Sequence, residues 1–207
     1  MLIGPKYKIC RRLGSGLFSK CQTTRYAVSE GKKKPNFGQA RKHRSVRTEY
    51  GNQLMEKQKL RLSYGVNERQ LVNYVLKSKR KRGVLPTNEV FRMLEMRLDN
   101  VVYRAGLVPT RRFAIQTITH GHILVNGVKV SSPSYELNPG DVVTLRTASK
   151  QKGPFRDRSE FLKDYIPPDW ISFNKELIVA TINNNPIKQE QSPDINLSSI
   201  VQFYSRV

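Results

Sequence analysis

Residues 123–130, Ile-Leu-Val-Asn-Gly-Val-Lys-Val, decide how the middle of this chain folds. Two runs rich in apolar and β-branched residues flank Asn126-Gly127, and Asn-Gly between such runs is the strongest short-range signal for a β-hairpin. After the turn residues 138–141, the run Val142–Arg146 predicts another strand. The stretch therefore predicts a small antiparallel sheet.

A short helix is predicted just before the hairpin, from a Thr110 cap through Ile118. Arg111 and Arg112 stand in its first turn, where cations oppose the helix dipole. Because helix-start amides already attract phosphate, this pair predicts a bound anion. Two solvated arginines are the alternative.

A longer helix is predicted after Pro86, with Thr87 as its cap and one continuous apolar stripe through Val102. The pattern puts Arg92, Glu95, Asp99 and Asn100 on its polar side. Residues 90–147 thus read as a helix, helix, hairpin, strand unit, and residues 170–182 predict a strand pair or extended segment.

Two more helices are predicted upstream. In residues 48–64 one face carries Tyr50, Leu54, Leu60 and Tyr64, and Lys57 and Arg61 fall on the same stripe, either snorkelling at its rim or contacting phosphate. The next helix starts at an Asn67 cap and ends in five cations, Lys77, Lys79, Arg80, Lys81 and Arg82. The helix dipole accounts for one or two of them, so the surplus favours a phosphate contact.

The charge is strongly positive and uneven. The 207 residues carry a formal net charge of +21; residues 1–100 hold 24 Lys+Arg against 7 Asp+Glu, whereas residues 151–207 hold 7 of each. Residues 1–47 read as an extended basic arm, with a disordered solvated tail as the alternative. A polyanion must neutralise this excess, and nucleic acid is the commonest candidate.

Other functional classes find little support in the sequence. No apolar run approaches the roughly 20 residues of a membrane span, and no nucleotide-binding, nucleophile-elbow or zinc-protease motif is present. Cys10 and Cys21 are the only cysteines, and His120 and His122 lack a matching ligand set. The sequence therefore predicts no enzyme, no metal and no cofactor.

Several stretches resemble small-subunit ribosomal protein S4. They are EMRLDNVVYR at residues 95–104, Thr110-Arg111, HGHILVNG at residues 120–127 and Pro133-Ser134-Tyr135; upstream, YGVNERQ at residues 64–70 and GQARK at residues 38–42 match as well. The likeness is dense over residues 48–147 and patchy elsewhere. The stretch from Leu98 to Gly127 alone would indicate only an RNA-binding domain that several RNA enzymes share. The matches in the upstream helices are what make the resemblance specific to the ribosomal family.

The resemblance implies an α+β fold, with an α-helical domain, an inserted small RNA-binding domain and an extended basic N-terminal arm. We expect the arm at 1–47, a helical domain at 48–89 completed by the tail 195–207, the inserted domain at 90–150 and a divergent segment at 151–194. The family binds the 5′ domain of small-subunit rRNA early in assembly, neighbours protein S5, lines the mRNA entry side and influences decoding accuracy.

The predicted RNA contacts combine the basic clusters with the matching motif positions. They are Lys6, Arg11, Arg12, Arg41, Lys42, Arg44, Arg47, Lys57, Arg61, Arg69, Arg111, Arg112, His120, His122, Asn126 and Lys129.

The chain also departs from the family. Some relatives carry four zinc-binding cysteines where only Cys10 and Cys21 stand. Where relatives usually have Ala-Arg-Gln-Leu-Val, this chain has Ala-Ile-Gln-Thr-Ile at residues 114–118, so one arginine expected on the RNA-facing helix is missing. Residues 150–194 align with nothing evident. With no transit peptide in view, we expect a ribosome in the plastid stroma, with the mitochondrion or the bacterial cytoplasm as alternatives. An RNA-modifying enzyme and a regulatory mRNA binder are the alternative functions.

Overall fold

The computed structural model describes residues 4–14, 16–31, 48–150, 155, 165–174, 178–187 and 195–205. The chain divides into two compact units, Met1–Lys77 with Ser192–Val207 and Ser78–Gln191. The boundary between Lys77 and Ser78 falls inside the helix Glu68–Arg80. The second unit combines the end of the predicted helical domain, the predicted RNA-binding domain 90–150 and nearly all of the predicted divergent segment 151–194.

The first unit is helical in its described residues. It contains α1 (Lys6–Leu13), a 3₁₀ turn (Ser19–Cys21), α2 (Thr24–Gly31), α3 (Glu49–Tyr64), the start of α4 (Glu68–Arg80) and the last helix, α9 (Leu197–Phe203). Both α1 and α9 pack against α3. α4 begins directly after Asn67, as predicted, and Gln70 accepts from the Asn67 amide. At the start of α3, the Thr48 side chain accepts from the Gly51 amide.

The N-terminal segment corrects the prediction of an extended arm. Its described residues form α1 and α2, and Cys10 and Leu13 bury the inner face of α1. Gly14 ends α1 in the left-handed conformation, at φ 68°, which closes a helix rather than interrupting one. Pro5 and Gly14 therefore stand at the two ends of α1.

The second unit holds a five-stranded antiparallel sheet and the helices that cover it. After the end of α4 come α5 (Pro86–Glu95), α6 (Leu98–Arg104), α7 (Arg111–Thr119), β1 (Ile123–Val125), β2 (Val128–Lys129), β3 (Val142–Leu145), α8 (Thr147–Lys150), β4 (Ile171–Asn174) and β5 (Val179–Ile182). The strand order is β2-β1-β3-β5-β4. The α+β class and the Asn-Gly hairpin are confirmed.

The sheet extends further than the hairpin and one strand. β5 pairs with β3 through Val143 opposite Ala180, and β4 pairs with β5 through Phe173 opposite Ala180. Ala180 and Ile182 belong to the same buried cluster as Val101, Ile118 and Val143. The predicted strand pair is therefore confirmed, and it is part of the same domain as the hairpin.

The predicted long helix after Pro86 is two helices. It breaks at Met96-Arg97, where Met96 O accepts from the Leu137 amide and Tyr135 O accepts from the Leu98 amide. Pro86 itself is the first helical residue, and Leu85 rather than Thr87 precedes it as the cap. The break turns Glu95, Asp99 and Asn100 inward, so these residues are buried instead of lying on a polar face.

Candidate nucleic-acid interface

The start of α7 holds the most informative pair of candidate residues. The Thr110 hydroxyl accepts from the Phe113 amide at 3.2 Å, which confirms the predicted cap. Arg112 is exposed and Arg111 is half-buried in the first turn. Since no acidic side chain stands in that turn, these cations lie where the helix dipole gives them no support.

Arg111 is held by its own unit. Its Nε donates to Asn100 Oδ1 at 2.8 Å, and its guanidinium lies 4.5 Å from the centroid of the Tyr103 ring. A cation over an aromatic face is stabilised by the ring quadrupole. Sequence reasoning missed Asn100 and Tyr103 as neighbours of Arg111, because both stand on a different helix and Asn100 was assigned to a polar face.

A second group of candidates lies at the other end of α7. His120 is exposed, and the His122 ring lies 6.1 Å from it, with Nδ1 2.9 Å from Ser149 Oγ. Lys129 crosses from β2 directly over Gly121, so that a Cβ added there would overlap the lysine side chain. At about 1.5 Å per residue, α7 separates this group from the arginines by roughly 13 Å. We call Arg111, Arg112, His120, His122 and Lys129 the α7 surface.

The Asn126 side chain stabilises the hairpin turn. It adopts φ 50°, its Nδ2 donates to Asp141 Oδ1 at 2.8 Å, and its Oδ1 accepts from the Val142 amide at 2.8 Å. Both ends of the carboxamide are thus used to tie the turn to β3. We therefore leave Asn126 out of the proposed interface.

Lys57, in the first unit, also forms its contacts inside the protein. It is 7% exposed, its Nζ donates to Glu68 Oε1 at 2.7 Å, and it lies 4.8 Å from the Phe203 ring centroid. Burial alone would raise the pKa of Glu68, but hydrogen bonds from Lys57 and Tyr204, with the nearby positive charges, hold that pKa below its ordinary value. The lysine of this ion pair is buried, whereas the Glu68 side chain is 42% exposed. We therefore leave Lys57 out of the proposed interface.

The face of α3 is rotated from the predicted one. Gln53, Lys57, Leu60 and Tyr64 are its buried residues, whereas Tyr50 is 56% exposed. Arg61 sits at the edge of this face, its side chain 25% exposed and its Nη1 3.9 Å from Glu68 Oε2. The buried face therefore keeps Lys57, Leu60 and Tyr64 of the predicted stripe and adds Gln53, a polar residue that an apolar pattern does not reveal.

The remaining candidates of the first unit differ in exposure. Arg12 and Arg69 are exposed, Arg11 donates from Nε to Tyr7 O, and Lys6 lies 5.6 Å from the Phe18 ring centroid. The predicted contacts Arg41, Lys42, Arg44 and Arg47 lie outside the described residues.

The basic end of α4 belongs with the candidates, although the predicted contact set omitted it. All five of its cations, from Lys77 to Arg82, are exposed, and Lys81 Nζ also reaches Glu89 Oε1 at 3.1 Å. The signal was present in the sequence, since five cations exceed what a helix terminus uses.

The cysteines give no metal centre. Cys10 and Cys21 are buried thiols, and burial together with the Cys10 neighbour raises the pKa of Cys21 to about 12. Within the described ranges no group of three or more His, Cys, Asp or Glu residues is arranged to hold a metal ion. Across the same part of the chain, no helix has the length and apolar character needed to cross a membrane.

Comparison with known proteins covers the whole chain. The family described as "Ribosomal protein S4/S9 N-terminal domain" matches residues 1–95, and the "S4 domain" family matches residues 96–143. The relatives named "Small ribosomal subunit protein uS4" include that of Halothermothrix orenii, 39% identical over 206 residues, and that of Streptococcus sanguinis, 41% identical over 206 residues.

These alignments cover 98% of this chain and 98% of the Halothermothrix protein, and 99% and 97% for the Streptococcus protein. Coverage of that extent includes most of residues 151–194, so this segment has counterparts in these relatives and the expectation that it aligns with nothing was wrong. With such identity along nearly its full length, the chain belongs to the uS4 family of small ribosomal subunit proteins.

Proposed function

We propose that this chain is a structural component of the small ribosomal subunit that binds rRNA through exposed cations fixed on folded helices. The observation that carries the proposal is the first turn of α7, where Arg111 is held by Asn100 and Tyr103 beside the exposed Arg112. A protein gains nothing in stability from cations at that helix end, so the arrangement favours an anion outside the protein.

The proposed interface follows from exposure. In the second unit it comprises the α7 surface and the cations Lys79, Arg80, Lys81 and Arg82, and in the first unit Lys6, Arg11, Arg12, Arg61, Arg69 and Lys77. Arg41, Lys42, Arg44 and Arg47 stay in the proposal as sequence-based predictions. Binding of this kind neutralises phosphates and releases counterions, so affinity falls steeply as salt rises.

The test compares two double variants that remove the same charge. Arg111→Ala with Arg112→Ala removes the cations at the start of α7, and Lys20→Ala with Arg25→Ala removes two exposed cations outside the proposed interface. Affinity for a transcript of the 5′ domain of small-subunit rRNA is measured from low to high salt.

We expect the α7 variant to bind more weakly and to lower the slope of log K against log salt by about 1 to 2. The control variant should keep the wild-type slope. Equal changes in both variants would mean that only net charge matters, which contradicts the proposed interface.

The finer parts of the proposal concern neighbours and role. We include contact with protein S5 and with mRNA at the entry side, early binding during subunit assembly and an effect on decoding accuracy, all of which the resemblance implies. Crosslinking of the native subunit, with mass spectrometry of the RNA and protein adducts, tests the neighbours. Adducts confined to rRNA outside the 5′ domain would contradict the proposed location.

The compartment is a separate question. The relatives compared above come from bacteria, which agrees with a bacterial cytoplasm, and the plastid stroma and the mitochondrion stay predictions that cell fractionation tests. An RNA-modifying enzyme or a free regulatory RNA binder is not favoured, because the relatives are ribosomal proteins along almost the entire chain. Stable co-sedimentation with small subunits through a high-salt wash supports the structural role.

A further inference from the structure

A buried polar chain in the second unit leads from an acidic side chain to Arg111. Glu95 is 1% exposed and accepts two hydrogen bonds from Arg104, Nε to Oε2 at 3.1 Å and Nη2 to Oε1 at 2.9 Å. Asn100, fully buried, donates from Nδ2 to Glu95 Oε2 at 2.7 Å and to Glu95 O at 3.0 Å. Its Oδ1 then accepts from Arg111 Nε at 2.8 Å.

The hydrogen bonds from Glu95 to Arg111 require an amide at position 100. A carboxylate only accepts hydrogen bonds and a guanidinium only donates them. Asn100 stands between the two and offers a donor to Glu95 and an acceptor to Arg111. An aspartate there would place a second carboxylate against Glu95, and an apolar residue would deprive the buried Glu95 carboxylate of one of its donors.

The amide and Tyr103 together fix the orientation of the guanidinium. A hydrogen bond at Nε and an aromatic ring whose centroid lies 4.5 Å from the guanidinium carbon restrict the orientation of the group at two points. A side chain with several rotatable bonds loses entropy when it binds, and this loss is smaller when the protein has already fixed it. Arg111 is therefore prepared to form bidentate hydrogen bonds with two oxygens of a phosphate.

We propose that Asn100 is a positioning residue for RNA binding, which couples the buried Glu95–Arg104 pair to Arg111 and holds the Arg111 guanidinium in its phosphate-binding orientation. The inference rests on the proposed function, since it requires that Arg111 contact rRNA. Asn100 is fully buried, so its effect on RNA must act through Arg111.

The experiment is a double-mutant cycle in the full-length chain, read out as affinity for the 5′-domain rRNA transcript. We expect Arg111→Ala to weaken binding about tenfold. Asn100→Ala should weaken binding by a similar factor in the wild-type background and by less than about twofold in the Arg111→Ala background. In the Arg112→Ala background, which serves as the matched control, Asn100→Ala should keep its full effect.

A purely structural role gives a different result. If Asn100→Ala weakened binding by the same factor in every background, the residue would act through general stability, and the positioning role would be wrong. If Arg111→Ala bound rRNA as tightly as the wild type, Arg111 would lie outside the interface and the proposed function would fail at this surface. If Arg111→Ala weakened binding and Asn100→Ala did not, only the positioning role would fail.

Two further measurements keep the test decisive should Asn100→Ala fold poorly. Arg111→Lys keeps the charge and leaves the Glu95–Asn100 bond intact, but a lysine lacks the guanidinium that Asn100 orients through Nε, so we expect several-fold weaker binding. Wild-type affinity would overturn the proposal. In the free protein, the NMR signal of the Arg111 Nε–H group should show slower exchange with water than that of Arg112. Equal exchange would also contradict the proposed anchoring.

Discussion

Glu89 shows how a single buried carboxylate organises the cations around it. Its side chain is 5% exposed and lies 2.8 Å from Arg92 Nη2 and 3.1 Å from Lys81 Nζ. The hydrogen bond from Arg92 is the largest influence and, with the bond from Lys81 and against the opposing effect of burial, it lowers the pKa of Glu89 below 4.5. The ionised form is therefore the one that stabilises the fold.

We expect Glu89→Gln to change the pH dependence of stability. Because the folded pKa is lowered, the stabilising contribution is fully present above about pH 4.5 and is lost as the pH falls through the folded value. At pH 7 the free energy of unfolding of the wild type should exceed that of Glu89→Gln by about 1–2 kcal/mol. In acid the two free energies should become equal. Urea unfolding from pH 7 to pH 3 measures the difference, and a constant gap would contradict the assignment.

Gly121 is a residue whose lack of a side chain has two separate reasons. It adopts φ +73°, and Lys129 covers it closely. Gly121→Ala should therefore lose about 1–2 kcal/mol from the backbone conformation alone, and more from displacing the lysine. In a Lys129→Ala background only the backbone part should remain. Denaturant unfolding of the four proteins separates the two costs, and equal losses in both backgrounds would exclude the steric part.

At the scale of elements, local signals predicted local structure. The Thr110 cap and the Asn126-Gly127 turn depend on residues within a few positions of one another, and the sequence predicted both. The break between α5 and α6 depends instead on the backbone of residues 135–137, which is distant in sequence. An apolar stripe that continues through a break cannot reveal it.

The candidate site divides in the same way. Sequence reasoning identified the arginines at the start of α7, because their conflict with the helix dipole is local. It could not separate the buried Lys57 from the exposed Arg12, since burial depends on partners such as Glu68 and Phe203 that only the folded chain brings together. The α4 cations were visible as a run but were left out of the contact set.

The pair β4 and β5 should be essential to the second unit. Ile182 is 1% exposed in the shared core, whereas Ile187, a few residues on, is 77% exposed. We expect Ile182→Ala to lower the free energy of unfolding by about 2–5 kcal/mol and the matched Ile187→Ala to change it little. Chemical denaturation checks both, and a small effect of Ile182→Ala would mean that the sheet of the first three strands is stable without the pair.

At the scale of the whole molecule, the acids and the cations are sorted by depth. Glu68, Glu95 and Asp99 each pair with a buried or partly buried cation within its own unit. These acids therefore do not offset the exposed lysines and arginines. Because each of these pairs is neutral, the net charge of +21 is carried by the other side chains, which favours attraction of a polyanion.

This sorting predicts opposite effects for two cations of the first unit. Lys57→Met should lower stability by about 1–2 kcal/mol, because Glu68 loses its partner, and should leave the salt slope of rRNA binding unchanged. Arg12→Ala should keep stability within about 0.5 kcal/mol and lower the slope by about 1. Thermal unfolding and salt-dependent affinity measure both variants, and a lower slope for Lys57→Met would contradict its internal role.

The path of the chain through its two units has a consequence for biosynthesis. The last helix, α9, packs on α3, the Asn196 amide bonds Glu56 Oε2 at 2.9 Å, and the Tyr204 hydroxyl bonds Glu68. Nascent polypeptide emerges from its amino end, so α3 leaves the ribosome well before the residues of α9 that pack on it. The second unit, Ser78–Gln191, thus gains its full set of residues before the first unit does.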